Sequence, residues 1–178
     1  MTKVLIITGS VRPNSVNRKI VELVKAEVSR NDDAELQMAD LGGLNLPFFD
    51  GSMPPSADGF EITHDSVRLW SEQVKSADAI IFVSPEYNHG LSGIQKNAID
   101  WLFNEWTDKP VLFVVYGWYA GANTLAQLRE ISTVIKWQAL ESSVGLAFTK
   151  DIDLEGNVIG EGVNENLAKA VKELLAVG

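Results

Sequence analysis

The sequence predicts a single α/β domain in three layers, a parallel sheet between two layers of helices. Three observations carry that expectation. Short apolar runs alternate along the chain with helical stretches of about 10 to 15 residues, the pattern of successive βαβ units. The first run, Lys3 to Thr8, is apolar throughout Val4–Ile7 instead of alternating, as a strand buried on both faces requires. A length of 178 residues with 46% hydrophobic and 22% charged residues suits one folded unit with a sizeable core, spanning residues 1–178.

Taken in order, the first strand closes on Gly9. Residues 15 to 29 place Ile20, Leu23, Val24 and Val28 at helical spacing, so a helix follows at once. Ala34 to Asp40 is the second strand. Leu41 to Thr63 carries Pro47, Pro54 and Pro55 among Gly, Ser and Asp residues and reads as a long irregular surface loop, ahead of a helix near residues 63 to 76. Ala79 to Ser84 is the third strand and Leu91 to Asn104 its helix. Pro110 opens the fourth strand, which runs to Tyr116, and a helix covers Asn123 to Ile135. A fifth strand lies near Ser143 to Phe148, a turn-rich excursion spans Asp151 to Gly162, and the last helix is Asn164 to Ala176. Five such strands suit a flavodoxin-like three-layer sandwich with a five-stranded parallel sheet of order 2-1-3-4-5. Ligands of that architecture bind beyond the carboxyl ends of the strands, at the switch point between strands 1 and 3.

Composition excludes several chemistries. A net charge of −9 opposes nonspecific binding to nucleic acid or an anionic membrane, which needs clustered Lys and Arg. The charge is uneven, however. Residues 1 to 30 hold six Lys or Arg against two Glu, a net +4, and leave −13 for the rest; a small anion suits that first segment. The apolar run after Met1-Thr2-Lys3 is too short for a signal-peptide core or a membrane span, so a cytoplasmic protein is expected. With no cysteine there is no disulfide, thiolate nucleophile or cysteine metal site. His64 and His89 are the only histidines, too few for a histidine metal site, and no Ser-His-Asp order appears. His64 reads as a solvated loop residue.

Three loops converge on the expected crevice: residues 9 to 17, 84 to 93 and 116 to 122. The first reads Gly9-Ser10-Val11-Arg12-Pro13-Asn14-Ser15-Val16-Asn17 and is neither a dinucleotide fingerprint nor a P-loop. Its hydroxyls, amides, guanidinium and following helix N-terminus form a socket for one terminal phosphate. A polar turn with Asn14 or Ser15 capping the helix explains the same residues equally well.

The second loop holds Pro85-Glu86-Tyr87-Asn88, followed on the next helix by Lys96-Asn97-Ala98-Ile99-Asp100-Trp101. Together with the first loop, roughly seventy residues earlier, this resembles the NADPH-dependent FMN reductase family, whose members include flavin, quinone, azo-dye and chromate reductases. The resemblance covers roughly residues 3 to 148. It implies that Ser10, Arg12, Ser15 and Asn17 hold the phosphate and ribityl chain of flavin mononucleotide (FMN). It implies further that Pro85, Glu86, Tyr87 and Asn88 line the isoalloxazine ring, that NADPH or NADH donates electrons, and that the chain forms a homodimer or dimer of dimers. Lys96, Asn97 and Asp100 then fix helix and loop geometry near a subunit boundary, and Trp101 is core. The apolar helix of residues 91 to 104, with Leu91, Ile94, Ala98, Trp101 and Leu102, carries more apolar surface than one sheet face needs and is the expected dimer contact.

The third loop departs from the family. Where Ser-Gly-Gly-x-Gly-Gly is common, this chain has Tyr116-Gly117-Trp118-Tyr119-Ala120-Gly121-Ala122, which places Gly117 and Trp118 beside the expected ring site. Ser92 also stands where the family usually has Pro. The activity implied is an FMN-dependent NAD(P)H oxidoreductase that passes hydride, by ping-pong transfer, to a small acceptor: a quinone, free flavin, azo compound or metal ion. No catalytic side chain is required, since the flavin carries the chemistry. Two other readings stand beside it: a flavodoxin-type electron carrier without nicotinamide activity, and a flavin-free binding protein in which Trp118 fills the ring site.

Overall fold

The computed structural model describes residues 1–178. Its elements run β1 (Thr2–Thr8), α1 (Asn17–Val28), β2 (Ala34–Ala39), α2 (Leu41–Leu44), α3 (Asp65–Ser76), β3 (Ala79–Tyr87), β4 (Gly90–Leu91), α4 (Gly93–Asp100), a single 3-10 turn (Asn104–Trp106), β5 (Pro110–Gly117), α5 (Ala122–Ile135), β6 (Gln138–Ala139), β7 (Val144–Ala147) and α6 (Val163–Val177). The parallel order is β2-β1-β3-β5, and the far edge position beside β5 is shared by β6 and β7. β6 pairs with Pro110 and Val111 at one end of β5, and β7 with Val114 to Gly117 at the other. This is the expected 2-1-3-4-5 arrangement with its fifth strand broken in two.

Alternate residues of the central strands feed two cores. Val4, Ile6, Ile81 and Val114 pack under α1 and α6, whereas Leu5, Ile7, Ile80, Phe82 and Phe113 face Trp70, Trp106 and Trp137 on the other side. Because both faces are covered, β1 must be apolar at consecutive positions, which is why its sequence does not alternate.

Two expected elements differ. β3 continues three residues past Ser84, because its parallel pairing with β5 persists to Pro85 opposite Tyr116. The chain then doubles back, Glu86 opposite Leu91 and Tyr87 opposite Gly90, so Leu91 belongs to a hairpin and α4 begins only at Gly93. Asn88 and His89 form the two-residue turn, both with positive φ (49° and 60°), the backbone of a primed hairpin turn. The helix also ends at Asp100, and Ala98, Trp101 and Leu102 are buried in the chain's own core. Leu91, Ile94 and Phe103 are half-buried, so the apolar surface left there for a dimer contact is smaller than expected.

The segment after β2 opens with one helical turn, α2, capped by Asp40 accepting from the Gly42 N–H at 3.0 Å. The rest is irregular but pinned. Asn97 Nδ2 and Trp101 Nε1 both donate to the Pro47 carbonyl, at 2.9 and 2.7 Å, and Asn97 Oδ1 accepts from the Phe49 N–H at 3.0 Å. Asn97 and Trp101 therefore hold this long loop against α4, while Lys96 and Asp100 pair with each other one turn apart. His64, expected to be freely solvated, lies edge-on to Trp101 with ring centroids 5.5 Å apart and meets Asp50 at 3.1 Å.

Candidate active site

The site is built where β1, β3 and β5 end together. Gly9 follows β1 at a point so tight that a Cβ would lie 2.4 Å from the Val83 carbonyl oxygen and 2.6 Å from Pro85 Cδ. Only glycine fits. Across this contact Asn17, 1% exposed, accepts from the Gly9 N–H at 3.3 Å and donates Nδ2 to the Val83 carbonyl at 3.0 Å. Its amide thus ties the first loop to the end of β3, and its side chain faces the interior.

Between Gly9 and Asn17 the chain wraps over the start of α1. Ser15 Oγ accepts from the Asn17 N–H at 3.2 Å, a local cap, while the cap residue itself, Val16, has no side chain able to bond the helix. The backbone N–H groups of Ser10, Val11, Asn14 and Val16 have no acceptor within the protein. Free donors at the positive end of a twelve-residue helix are the features an anion seeks. Arg12 forms no ion pair, and its guanidinium lies 5.9 Å above the Tyr87 ring. Ser10 Oγ and Tyr87 Oη are 2.6 Å apart, so the first and second sequence motifs meet side chain to side chain.

Glu86 turns its side chain into the protein. Its side chain is 6% exposed and accepts from the Asn123 backbone N–H at 2.8 Å and from Asn123 Nδ2 at 3.1 Å. The carboxylate therefore caps α5, where the helix dipole favours negative charge. Thr124 Oγ1 donates towards the Pro85 and Gly90 carbonyls, and Gln127 Oε1 accepts from the Leu91 N–H at 2.9 Å. Asn123, Thr124 and Gln127, which sequence reading missed, dock the whole hairpin onto α5. No linear signal marks them, because they lie more than thirty residues away. Pro85 is buried at the base of the hairpin and Asn88 is exposed at its tip.

Gly117 ends β5 with a Cβ position 3.0 Å from Glu86 Cβ, so the third loop abuts the second. Gly121, at φ +70°, turns this loop into α5, and a Cβ there would lie 2.8 Å from the Tyr116 nitrogen. Two aromatic side chains stand out from the turn between them. Trp118 is 64% exposed although the other four tryptophans are at most 4% exposed, and it leans on Phe148 at 5.5 Å. Tyr119, 67% exposed, stacks on His89 at 5.9 Å and 25°. His89 in turn meets Asn123 Nδ2 at 3.0 Å. One more polar group lies beneath the first loop: the Tyr116 phenol, 4% exposed, whose pKa burial pushes up to about 12.

A cavity of about 560 Å³ opens on the β2 side of the first loop, lined by Ser10, Arg18, Glu22, Met38 and Asp40. Its single cation, Arg18, shares the lining with two carboxylates, Glu22 and Asp40, and with Ser10 and Val11 of the first loop.

A flavodoxin-like sheet with two loops meeting beyond the carboxyl ends of β1 and β3, its switch point, places the chain among the doubly wound α/β proteins. Residues 2–151 match the model of the NADPH-dependent FMN reductase family, and the chain belongs to that family. It is 34% identical to the NAD(P)H-dependent FMN reductase ntnL of Nectria sp., with 98% of each chain covered. It is 27% identical to an NADPH:quinone oxidoreductase of Arabidopsis thaliana, covering 99% of this chain and 91% of that one. Among solved structures, the flavoenzyme NAD(P)H:acceptor oxidoreductase FerB of Paracoccus denitrificans superposes with a TM-score of 0.79 at 22% identity, over 99% of this chain and 97% of that one, a likeness of fold.

Since the Asn17 amide satisfies two buried backbone groups, Asn17→Ala is expected to cost about 1–3 kcal/mol of folding stability, measured by urea unfolding. A variant as stable as the parent would show that the clamp is dispensable.

Proposed function

We propose that the chain is an FMN-dependent NAD(P)H oxidoreductase that passes electrons to a small acceptor, in the class of quinones, free flavins, azo compounds or metal ions. One observation carries the reading: the loop that leads into α1 holds an Arg12 guanidinium without an ion pair and four N–H groups without acceptors, and its Ser10 meets Tyr87 of the second loop. FMN, when bound, supplies hydride acceptance and release at its N5 position. The protein's own residues do the rest. Ser10, Arg12, Ser15 and the free N–H groups would hold the phosphate, with Asn17 fixing the loop that carries them. The hairpin of Pro85 to Asn88 offers the ring a stiff edge, because Glu86, Thr124 and Gln127 anchor it to α5. Gly117 leaves backbone, not side chain, against that edge.

NADPH or NADH and then the acceptor use the same open side in turn, bordered by Trp118 and Tyr119. Arg12, which forms no ion pair, is also the candidate to meet a nicotinamide cofactor's phosphate. Family membership favours this enzyme over an electron carrier without nicotinamide activity. The exposure of Trp118 argues against its filling the ring site, since a plug would be buried. No helix is long and apolar enough to cross a membrane, and a cytoplasmic location is part of the proposal. So is a homodimer or dimer of dimers, supported by the family resemblance and by an apolar groove formed by Pro54, Pro55, Leu102, Phe103, Ile131 and Val134. A strictly monomeric mass by light scattering at working concentration would overturn the dimer.

If Arg12 holds the phosphate, Arg12→Ala is expected to weaken FMN binding by about 1.5–3 kcal/mol, read by fluorescence titration, and NADPH oxidation falls with occupancy. Unchanged FMN affinity would remove Arg12 from the socket. If Trp118 borders the acceptor pocket, Trp118→Gly changes the acceptor KM or acceptor range with FMN still bound. A variant that instead loses stability or dissociates, with acceptor selectivity intact, assigns Trp118 to packing alone.

A further inference from the structure

Tyr116 poses a problem that the phosphate socket does not by itself explain. Its side chain leaves β5 on the α1 face of the sheet and is 4% exposed, yet its Oη makes no hydrogen bond. A buried hydroxyl without a partner is costly, and a phenylalanine would fill the same space without that cost. The hydrogen-bonding side chains that face it are Ser15 and Asn17, and the charge of Arg12 and the ring of Tyr87 lie close by. Asn17 is committed to Gly9 and Val83. Ser15 is not: its Oγ accepts from the Asn17 N–H, and its own proton has no acceptor in the protein.

A second pair shows what the arrangement does. Ser10 Oγ accepts from the Arg12 N–H at 3.3 Å and lies 2.6 Å from Tyr87 Oη. Each serine of the loop thus accepts one backbone N–H and has a tyrosine hydroxyl at hand. A serine oxygen has two lone pairs and one proton. Once a backbone N–H and a phenol occupy both lone pairs, the proton can be given only to an outside acceptor.

Resting on the FMN reading above, we propose that Tyr116 is a positioning residue, donating its phenolic proton to Ser15 Oγ from beneath the loop so that the Ser15 hydroxyl points at the phosphate. The bond forms when the Ser15 side chain shifts to within reach of the phenol with its own proton turned outward. The phenol is protonated at neutral pH, and burial raises its pKa further, so it faces the dianion as a donor and not as a negative charge. The role is specific for the phosphate and not for the flavin ring.

The experiment is a fluorescence titration of FMN and of riboflavin, which lacks the phosphate, into the parent, Tyr116→Phe, Ser15→Ala and the double variant. Tyr116→Phe is expected to weaken FMN about tenfold while riboflavin affinity stays within about twofold, as for one hydrogen bond to a charged group. The double variant is expected to bind FMN no more weakly than Ser15→Ala alone, because the phenol acts only through the serine. Equal losses for both flavins, or additive losses in the double variant, overturn the relay and leave Tyr116 a packing residue. Unchanged FMN affinity in Tyr116→Phe overturns it as well. A parent that binds neither flavin overturns the flavin reading itself, an outcome distinct from a parent that binds FMN and variants that fail to discriminate.

Discussion

The site depends on how closely β1 and β3 approach at the switch point of the sheet. Gly9 makes that approach possible by having no side chain, and Asn17 makes it permanent by bonding both chains with one amide. A larger residue at position 9 would separate the strands; an apolar residue at 17 would leave the buried Gly9 N–H without a partner and the Val83 carbonyl with only the 3.4 Å bond from Gln95 Nε2. From this clamp follow the course of the first loop, the start of α1 and the direction in which its free N–H groups point. The loop can then expose donors to a ligand without collapsing onto the sheet, because its two ends are fixed from below.

The second constraint is the hairpin that ends β3. A two-stranded hairpin alone is marginal in water, and this one has only two residues in its return strand. It holds its shape because α5 supplies Asn123, Thr124 and Gln127 to its backbone and to Glu86. The division of labour is clear. Residues named by the motif are partly builders: Asn17 and Glu86 face inward and shape the loops, whereas Ser10, Arg12, Ser15 and Tyr87 present polar groups outward. Trp118 and Tyr119 add a large exposed apolar rim beyond the end of β5. Such a rim suits planar ligands that come and go, since it offers area without a directional bond.

Much of this was legible in the chain. The doubly buried strands could be read from unbroken apolar runs such as Val4–Ile7, and the helices from the spacing of Ile20, Val24 and Val28, because covering both faces of a sheet leaves no other pattern. The two loop motifs located the crevice, since strand ends and switch points are set by topology. Trp101 could be assigned to the core from its place in the second motif, and it is buried. The composition also fixed what the chain lacks, above all cysteine chemistry.

What only the tertiary structure decided is the direction in which each motif residue points. Glu86 lies in a ring-lining motif but caps α5, because Asn123 arrives 37 positions later in the chain to receive it. The helix expected from Leu91 begins only at Gly93, because cross-strand pairing at Leu91 outcompetes local helical propensity. Tyr116 looked like the last apolar residue of a strand; its unpaired hydroxyl beneath Ser15 appears only when α1 is laid over β5. Periodicity reports which residues are buried, since burial repeats along an element. It does not report which polar atoms meet, because those meetings join residues whose separation in sequence carries no period.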